Sequence, residues 1–510
     1  MKEWAIMKKE NLVPIALKDM SNIAHAQELL IEKEACVSFR MDQCAIFEGK
    51  GSYVILDFGK EICGGVRFIT RDVKGLAKFS ITLGESLSEA CAQQGYKNAG
   101  NDHATRELEV TVPFMSDLTF GESGFRFAKI ELLTEDPVYI RNIFAVNHLP
   151  VFAQEGYIYT GDESLDKIIQ TAIYTLKLNF QNGYIWDGIK RDRLVWAGDL
   201  NQEIITSVYL FGDNPHIINS LNFLKSETPA KEWINGIPSY SAWWIISLYD
   251  YCEMTQNNGY FAENMDYARQ ILKHFDSCIR EDGTMDFGSV EMAYFLDWPT
   301  YQTMDAQIGT AALICMAATA FEKMSFCETA LCHEIKRKLA RYLTMDCQFK
   351  QTRAFQILAG RDVTGEAAFL EKDGAKGLST FMTYYILKAG AMAGGTQMLS
   401  LIKEYFGAML SRGATTFWED FNMEWLEGSG RIDEFPEESQ KDIHGDYGAF
   451  CYTGFRHSLC HGWSAGFVAF LIECILDGAT KGNNNPVWEA LSKMDASLYV
   501  GNRWITLKKQ

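Results

Sequence analysis

Asp187-Gly-Ile-Lys-Arg-Asp-Arg-Leu-Val-Trp-Ala-Gly-Asp199 packs three aspartates, two arginines, a lysine and a tryptophan into one short stretch. Apolar helical text flanks it, Ile168–Leu176 before and Ile204–Phe211 after. A solvated face would not interleave Leu194, Val195 and Trp196 with acids. Two readings follow. In one, Arg191 and Arg193 merely neutralise neighbouring carboxylates in a loop rich in ion pairs. In the other the stretch lines a sugar pocket. Carboxylates grip hydroxyls, an indole covers the apolar face of a pyranose, and one acid donates a proton.

The text on the two sides differs. Upstream, Ser52–Asp57, Gly65–Thr70, Lys78–Leu83, Glu107–Val112 and Phe125–Leu132 are short runs with β-branched, aromatic or alternating residues. Turn signals such as Phe58-Gly59, Gly64-Gly65 and Gly84 separate them. Strands at that spacing predict an antiparallel β-sandwich over residues 1–152. From Ser164 the period changes, with Leu165, Ile168, Ile169, Ala172, Ile173 and Leu176 at helical spacing. Similar text returns at 200–212, 241–256, 263–279, 303–323, 326–345, 378–393, 396–411 and 462–478. An all-α domain over 153–495 is therefore expected. A short extension, 496–510, carries one strand at Arg503–Leu507, with no room for a complete further β-domain.

Composition narrows the function. With 510 residues, 47% of them apolar and 22% charged, the chain suits two or three globular domains. A formal net charge of −18 argues against nucleic acid and against an anionic membrane surface, and is indifferent to neutral sugars. The N-terminus, Met1 to Asn11, has no apolar signal-like core, and no run approaches the roughly 20 apolar residues of a membrane span. The 13 cysteines show no CxxC or Cys/His metal spacing, so free thiols in a reducing cytoplasm are the simplest account. Nine histidines are spread too thinly to suggest a metal cluster, and calcium on acidic loops lacks a ligand pattern. P-loop, GxGxxG, HExxH and GxSxG motifs are absent. No cofactor or metal is expected, and a homo-oligomer is left open.

The stretch from Asp187 to Asp199 resembles the acidic signature of the family 78 α-L-rhamnosidases, Asp-Cys-Pro-x-Arg-Glu-x-x-Gly-Trp-x-Gly-Asp. Asp187, Arg191, Trp196, Gly198 and Asp199 fall at matching spacing. Gly188-Ile189 replaces Cys-Pro, Val195 replaces a glycine, and Asp192 stands where the family has its general-acid glutamate. Gly413-Ala-Thr-Thr-Phe-Trp-Glu419 is similar to the Gly-Ala-Thr-Thr-x-Trp-Glu stretch that supplies the family's general base. Ser458-Leu-Cys-His-Gly-Trp463 resembles a Ser-x-Asn-His stretch whose histidine meets the sugar, with Cys460 in place of the asparagine. Phe295-Leu-Asp-Trp-Pro299 resembles a Gly-Asp-Trp stretch lining the pocket. Asp57–Val66 and Gly84-Glu85-Ser86 resemble the sandwich that precedes the family's barrel.

This resemblance implies an (α/α)6 barrel and an inverting α-L-rhamnosidase. Asp192 would be the acid and Glu419 the base. Asp187, Arg191, Asp199 and His461 would hold hydroxyls, and Trp196 and Trp298 the apolar face. The plainer alternatives are a core histidine at 461, a turn cap at Asp297 and a packing role for the Trp-Glu pair. One of Trp243 and Trp244 is expected near the rim. A six-hairpin glycosidase for another sugar, or a silenced sugar-binding relative, would carry much the same text. An acid kept at 419 speaks against silencing.

Overall fold

The structure, a computed structural model, describes residues 6–325, 329–481 and 485–509. The first part is a nine-stranded antiparallel sheet of β1 (Met7–Leu12), β2 (Ala16–Ser21), β3 (Ile23–Ala24), β4 (Ala45–Phe47), β5 (Tyr53–Val73), β6 (Leu76–Gly84), β7 (Glu107–Pro113), β8 (Asp117–Leu132) and β9 (Val138–Pro150). Their order is β3-β4-β9-β5-β8-β6-β7, with β1 added on β9 and β2 on β5. The two strands expected at Ser52–Asp57 and Gly65–Thr70 are one continuous strand, β5. Its register against β8 shifts between Asp57 and Ile62 and again between Gly64 and Val66, so bulges bend it where turns were expected. Gly64 lets β9 come close, because a Cβ there would lie 1.8 Å from the Val146 carbonyl oxygen. Phe47, Phe68 and Phe79 meet edge to face in the core of this part.

The rest is helical. Six helices pack in succession, Ala197–Phe211 on Pro238–Thr255, then Met304–Ser325, Lys350–Leu358, Thr383–Met392 and Phe467–Lys481, and the last returns to the first. Others, including Glu163–Leu178, Asn258–Cys278, Thr329–Thr344 and Met398–Ser411, lie behind them. Residues 326–328 of the helix expected at 326–345 lie outside the described residues. Met304–Ser325 and Gly462–Thr480 are, against expectation, long and apolar enough to cross a membrane by composition, with mean hydropathy 1.3 and 1.4. In each, 78% of the apolar window is buried inside the protein, which accounts for the hydropathy as core packing.

At the C-terminus there is a hairpin, not one strand. Met494–Val500 pairs with Arg503–Lys509 and with Tyr157–Tyr159, so the chain end closes onto the start of the helical part. Met494–Val500 straddles position 496, where the sequence placed the start of a separate extension.

Candidate active site

Three segments far apart in sequence are stitched together by their backbones. The Gly462 amide donates to the Asp187 carbonyl at 2.8 Å, and Gly188 bridges His461. His461 N–H donates to the Phe417 carbonyl, and Glu419 N–H to that of Ser458, each at 3.0 Å. Asp187 closes its own loop, since its Oδ1 accepts the Leu194 amide at 2.9 Å and its N–H reaches the Leu194 carbonyl at 3.0 Å. At the bend, Asp192 and Arg193 both have a φ of 56°, a left-handed conformation that costs energy for non-glycine residues and aims the Asp192 side chain.

The sheet braces this layer. Fully buried Lys190 donates to the Phe455 and His457 carbonyls at 2.6 and 2.8 Å, and its ammonium lies 3.2 Å from Glu85 and 2.9 Å from Glu89. Glu85 in turn accepts the Leu459 amide at 2.6 Å, and burial pushes its carboxyl up to about 7. Arg126 binds Asp57 through two bonds and the Gly413 carbonyl at 3.0 Å, which fixes the start of the Gly413–Glu419 segment. Glu85, Glu89 and His444 bring potential metal-ligand atoms within 4.8 Å of one another, from segments too distant to show a spacing. The Lys190 ammonium already supplies a cation to the two glutamates there.

Over this layer opens a cavity of about 240 Å³, lined by the eight residues given catalytic or sugar-binding roles from sequence: Asp187, Arg191, Asp192, Trp196, Asp199, Trp298, Glu419 and His461. The Arg191 guanidinium joins the two distant carboxylates. Nη1 donates to Asp192 at 3.0 Å and Nη2 binds Glu419 Oε1. Ser458 N–H holds the other Glu419 oxygen at 3.2 Å. His461 Nε2 faces Glu419, Asp199 and Asp187 at 3.5, 3.7 and 3.8 Å. Burial, with the Arg191 charge, holds His461 well below the usual imidazole range, so the ring is neutral.

Burial dominates the acids. It raises Asp187 well above the usual range, with the Asp199 and Asp192 charges adding to it. Asp199 is likewise raised well above, first by burial, against the pull of its own backbone amide. Burial also raises Asp192, opposed by Arg191 and assisted by Glu419. Its side chain is 22% exposed, enough to meet a substrate entering the cavity.

Several contributors escaped the sequence reading. Ile237, Tyr240, Met292, Cys451, Tyr452 and Arg456, with Phe295 and Trp463 from the ends of two quoted stretches, complete the lining. Gly198 has a steric reason, since a Cβ there would come within 2.7 Å of the Tyr240 ring. Glu203 lies beneath the site, raised by burial and then by Asp199 and Asp187, and a Cβ at Gly462 would meet its Oε1 at 1.8 Å. Its place one turn beyond Asp199 on the same helix face was the available signal. Asp297 proves to be a cap, since its carboxylate accepts the Trp298 amide at 2.8 Å and the Ser379 hydroxyl at 2.5 Å. Trp243 and Trp244 are both fully buried away from the cavity, the first against Phe355 and Tyr385 and the second bonded to the Leu221 carbonyl.

No family model matches the chain. An α-L-rhamnosidase of Alteromonas sp. (strain LOR) is 26% identical over 200 residues, which is 36% of this chain and 21% of that protein. A rhamnosidase from Klebsiella oxytoca with rhamnose bound superposes with a TM-score of 0.70 at 17% identity, covering 92% of this chain and 96% of that one. The family 78 rhamnosidase of Bacillus sp. GL1 gives 0.66 at 18% identity, covering 91% of this chain and 52% of that one. The Streptomyces avermitilis α-L-rhamnosidase complexed with L-rhamnose gives 0.65 at 12%, covering 100% and 48%. The chain thus matches about a fifth of the curated relative and about half of two solved ones. At these identities the likeness establishes a shared fold: a large antiparallel sheet followed by the helical part.

Proposed function

We propose that the chain is an inverting α-L-rhamnosidase, built as an (α/α)6 barrel behind a β-sandwich. The closed succession of six helices supports the barrel. The observation that carries the activity is the single Arg191 guanidinium holding Asp192 at the mouth and Glu419 on the floor of one cavity. Two oxygens bound to one guanidinium lie no more than about 8 Å apart. That ceiling keeps both carboxyl groups on one sugar, while inversion itself rests on the family resemblance and requires about 6.5–9.5 Å between them.

In this reading Asp192, whose carboxyl burial shifts toward the protonated form, gives its proton to the departing glycosidic oxygen. Glu419 takes a proton from water on the opposite face. Asp187, Asp199 and neutral His461 hold the sugar hydroxyls, and Trp196 and Trp298 cover its apolar face. The bound rhamnose of the Klebsiella and Streptomyces structures, on the same fold, supports rhamnose as the sugar. Cys44, Cys63, Cys252, Cys315 and Cys474 are buried free thiols, which supports a reducing, cytoplasmic setting. A panel of nitrophenyl α-L-glycosides tests the sugar. The rhamnoside should be cleaved with the highest kcat/KM, and preference for another glycoside would replace rhamnose in this account.

A further inference from the structure

The acid marks the side on which the leaving group departs, so the surface next to Asp192 is where an aglycone must rest. That surface is built jointly by a loop of the sheet and the loop 446–456. His103 Nδ1 contacts the Asp192 carbonyl at 2.6 Å, and Asn98 donates to the Thr453 hydroxyl at 2.8 Å. Arg456, which lines the cavity, donates to the Cys451 carbonyl at 2.5 Å and to Asp102 at 2.7 Å. The pair is not sealed, with 33% of the Arg456 side chain and 43% of Asp102 exposed. On the same loop, Phe450 carries an aromatic ring on a left-handed backbone, φ 58°, and leaves 48% of the residue in solvent. A bulky side chain is rarely held in that conformation, and an exposed phenyl gains little from burial to justify it. The ring stacks on Trp298 at 5.4 Å and 27°, so it prolongs the cavity's aromatic wall outward to the rim.

Resting on the rhamnosidase reading, we propose that Phe450, Arg456 and Asp102 form a leaving-group subsite that selects a second pyranose over an aryl aglycone. The phenyl face takes the C–H face of the ring. The guanidinium and carboxylate offer a donor and an acceptor side by side, the pattern a pair of neighbouring hydroxyls satisfies. An aryl group would use the wall and leave the pair without a partner.

The test compares kcat/KM for an α-L-rhamnosyl-glucose disaccharide with that for methyl α-L-rhamnoside, which needs the same protonation by Asp192 but cannot fill the subsite, in the full-length protein. Phe450→Ala and Asp102→Asn should each lower the ratio of disaccharide to methyl rhamnoside activity by about tenfold or more. Asp102→Asn retains size and shape, so it guards against a simple folding loss. An unchanged ratio, whether both activities fall or both persist, overturns the subsite. A flavonoid rhamnoside that suffers a larger loss than the disaccharide would overturn the choice of a sugar. A wild type that cleaves neither substrate removes the rhamnosidase reading itself. Wild-type cleavage with an unmoved ratio removes the subsite alone.

Discussion

Asp192→Asn separates proton donation from every other role of the residue. Asparagine keeps the size of aspartate and an oxygen for the 3.0 Å bond from Arg191, but has no acidic proton to give. The left-handed turn at Asp192 and Arg193 tolerates asparagine well, so the loop should hold its course. General acid catalysis contributes about 10²–10⁴ in rate, or roughly 3–5 kcal/mol of barrier. Alkyl glycosides, whose leaving alkoxide needs protonation, should lose that full factor in kcat/KM. Nitrophenyl rhamnoside, whose leaving group departs unaided, should lose less than about tenfold. Steady-state kinetics on both substrates reads the difference. Asp192→Glu is the companion, because the extra methylene moves the proton by about 1.5 Å. Misplacement on that scale costs on the order of a hundredfold, provided the loop is fitted to the shorter acid. Equal losses on both substrates in Asp192→Asn, or none on the alkyl glycoside, would refute Asp192 as the acid and turn attention to Asp187 and Asp199.

Gly462→Ala should destabilise the protein by about 1–3 kcal/mol, because its Cβ would fall 1.8 Å from Glu203 Oε1. Adding Glu203→Ala should recover part of the lost Tm, and strictly additive losses would refute that contact as the cause. Burial, then the charge of Asp297, pushes Asp420 up to about 7, while burial takes Asp297 up to about 6. The folded state therefore binds these protons more tightly than the unfolded chain does, and their contribution to stability is lost as pH rises from about 4 through 7. Asp420→Asn should flatten the fall in Tm between pH 5 and pH 8, and an unaltered slope would assign that fall to other groups.

Much of the site was legible because its chemistry is carried by short linear stretches. The Asp187–Asp199 and Gly413–Glu419 segments each keep at least one acid, an indole and glycine at fixed offsets, and the structure folds them onto one cavity. Residues arriving singly from other elements left no such trace. Arg456, Tyr452 and Tyr240 look like ordinary loop and helix text until the chain is folded. Trp243 and Trp244 illustrate the opposite failure. Their helix, Pro238–Thr255, is buried on nearly every side, so an indole pair reads as well for core as for rim. In the sheet, β1 and β2 went unseen because Met-Lys-Lys-Glu-Asn-Leu and Ala-Leu-Lys-Asp-Met-Ser show little apolar alternation, as suits lightly buried strands added to the sheet. β5 was cut in two by glycines that serve close approach and bulging rather than a turn.

The pairing of Asp192 with Glu419 across one sugar is tested most directly by the anomer released. Nitrophenyl α-L-rhamnoside is incubated with enough enzyme to outrun mutarotation, and the first product is followed by proton NMR. β-L-Rhamnose should appear first and equilibrate to the α-anomer afterwards. Initial release of α-L-rhamnose would mean retention and a nucleophile where a general base is placed, and no cleavage at all would contradict the assignment as a whole.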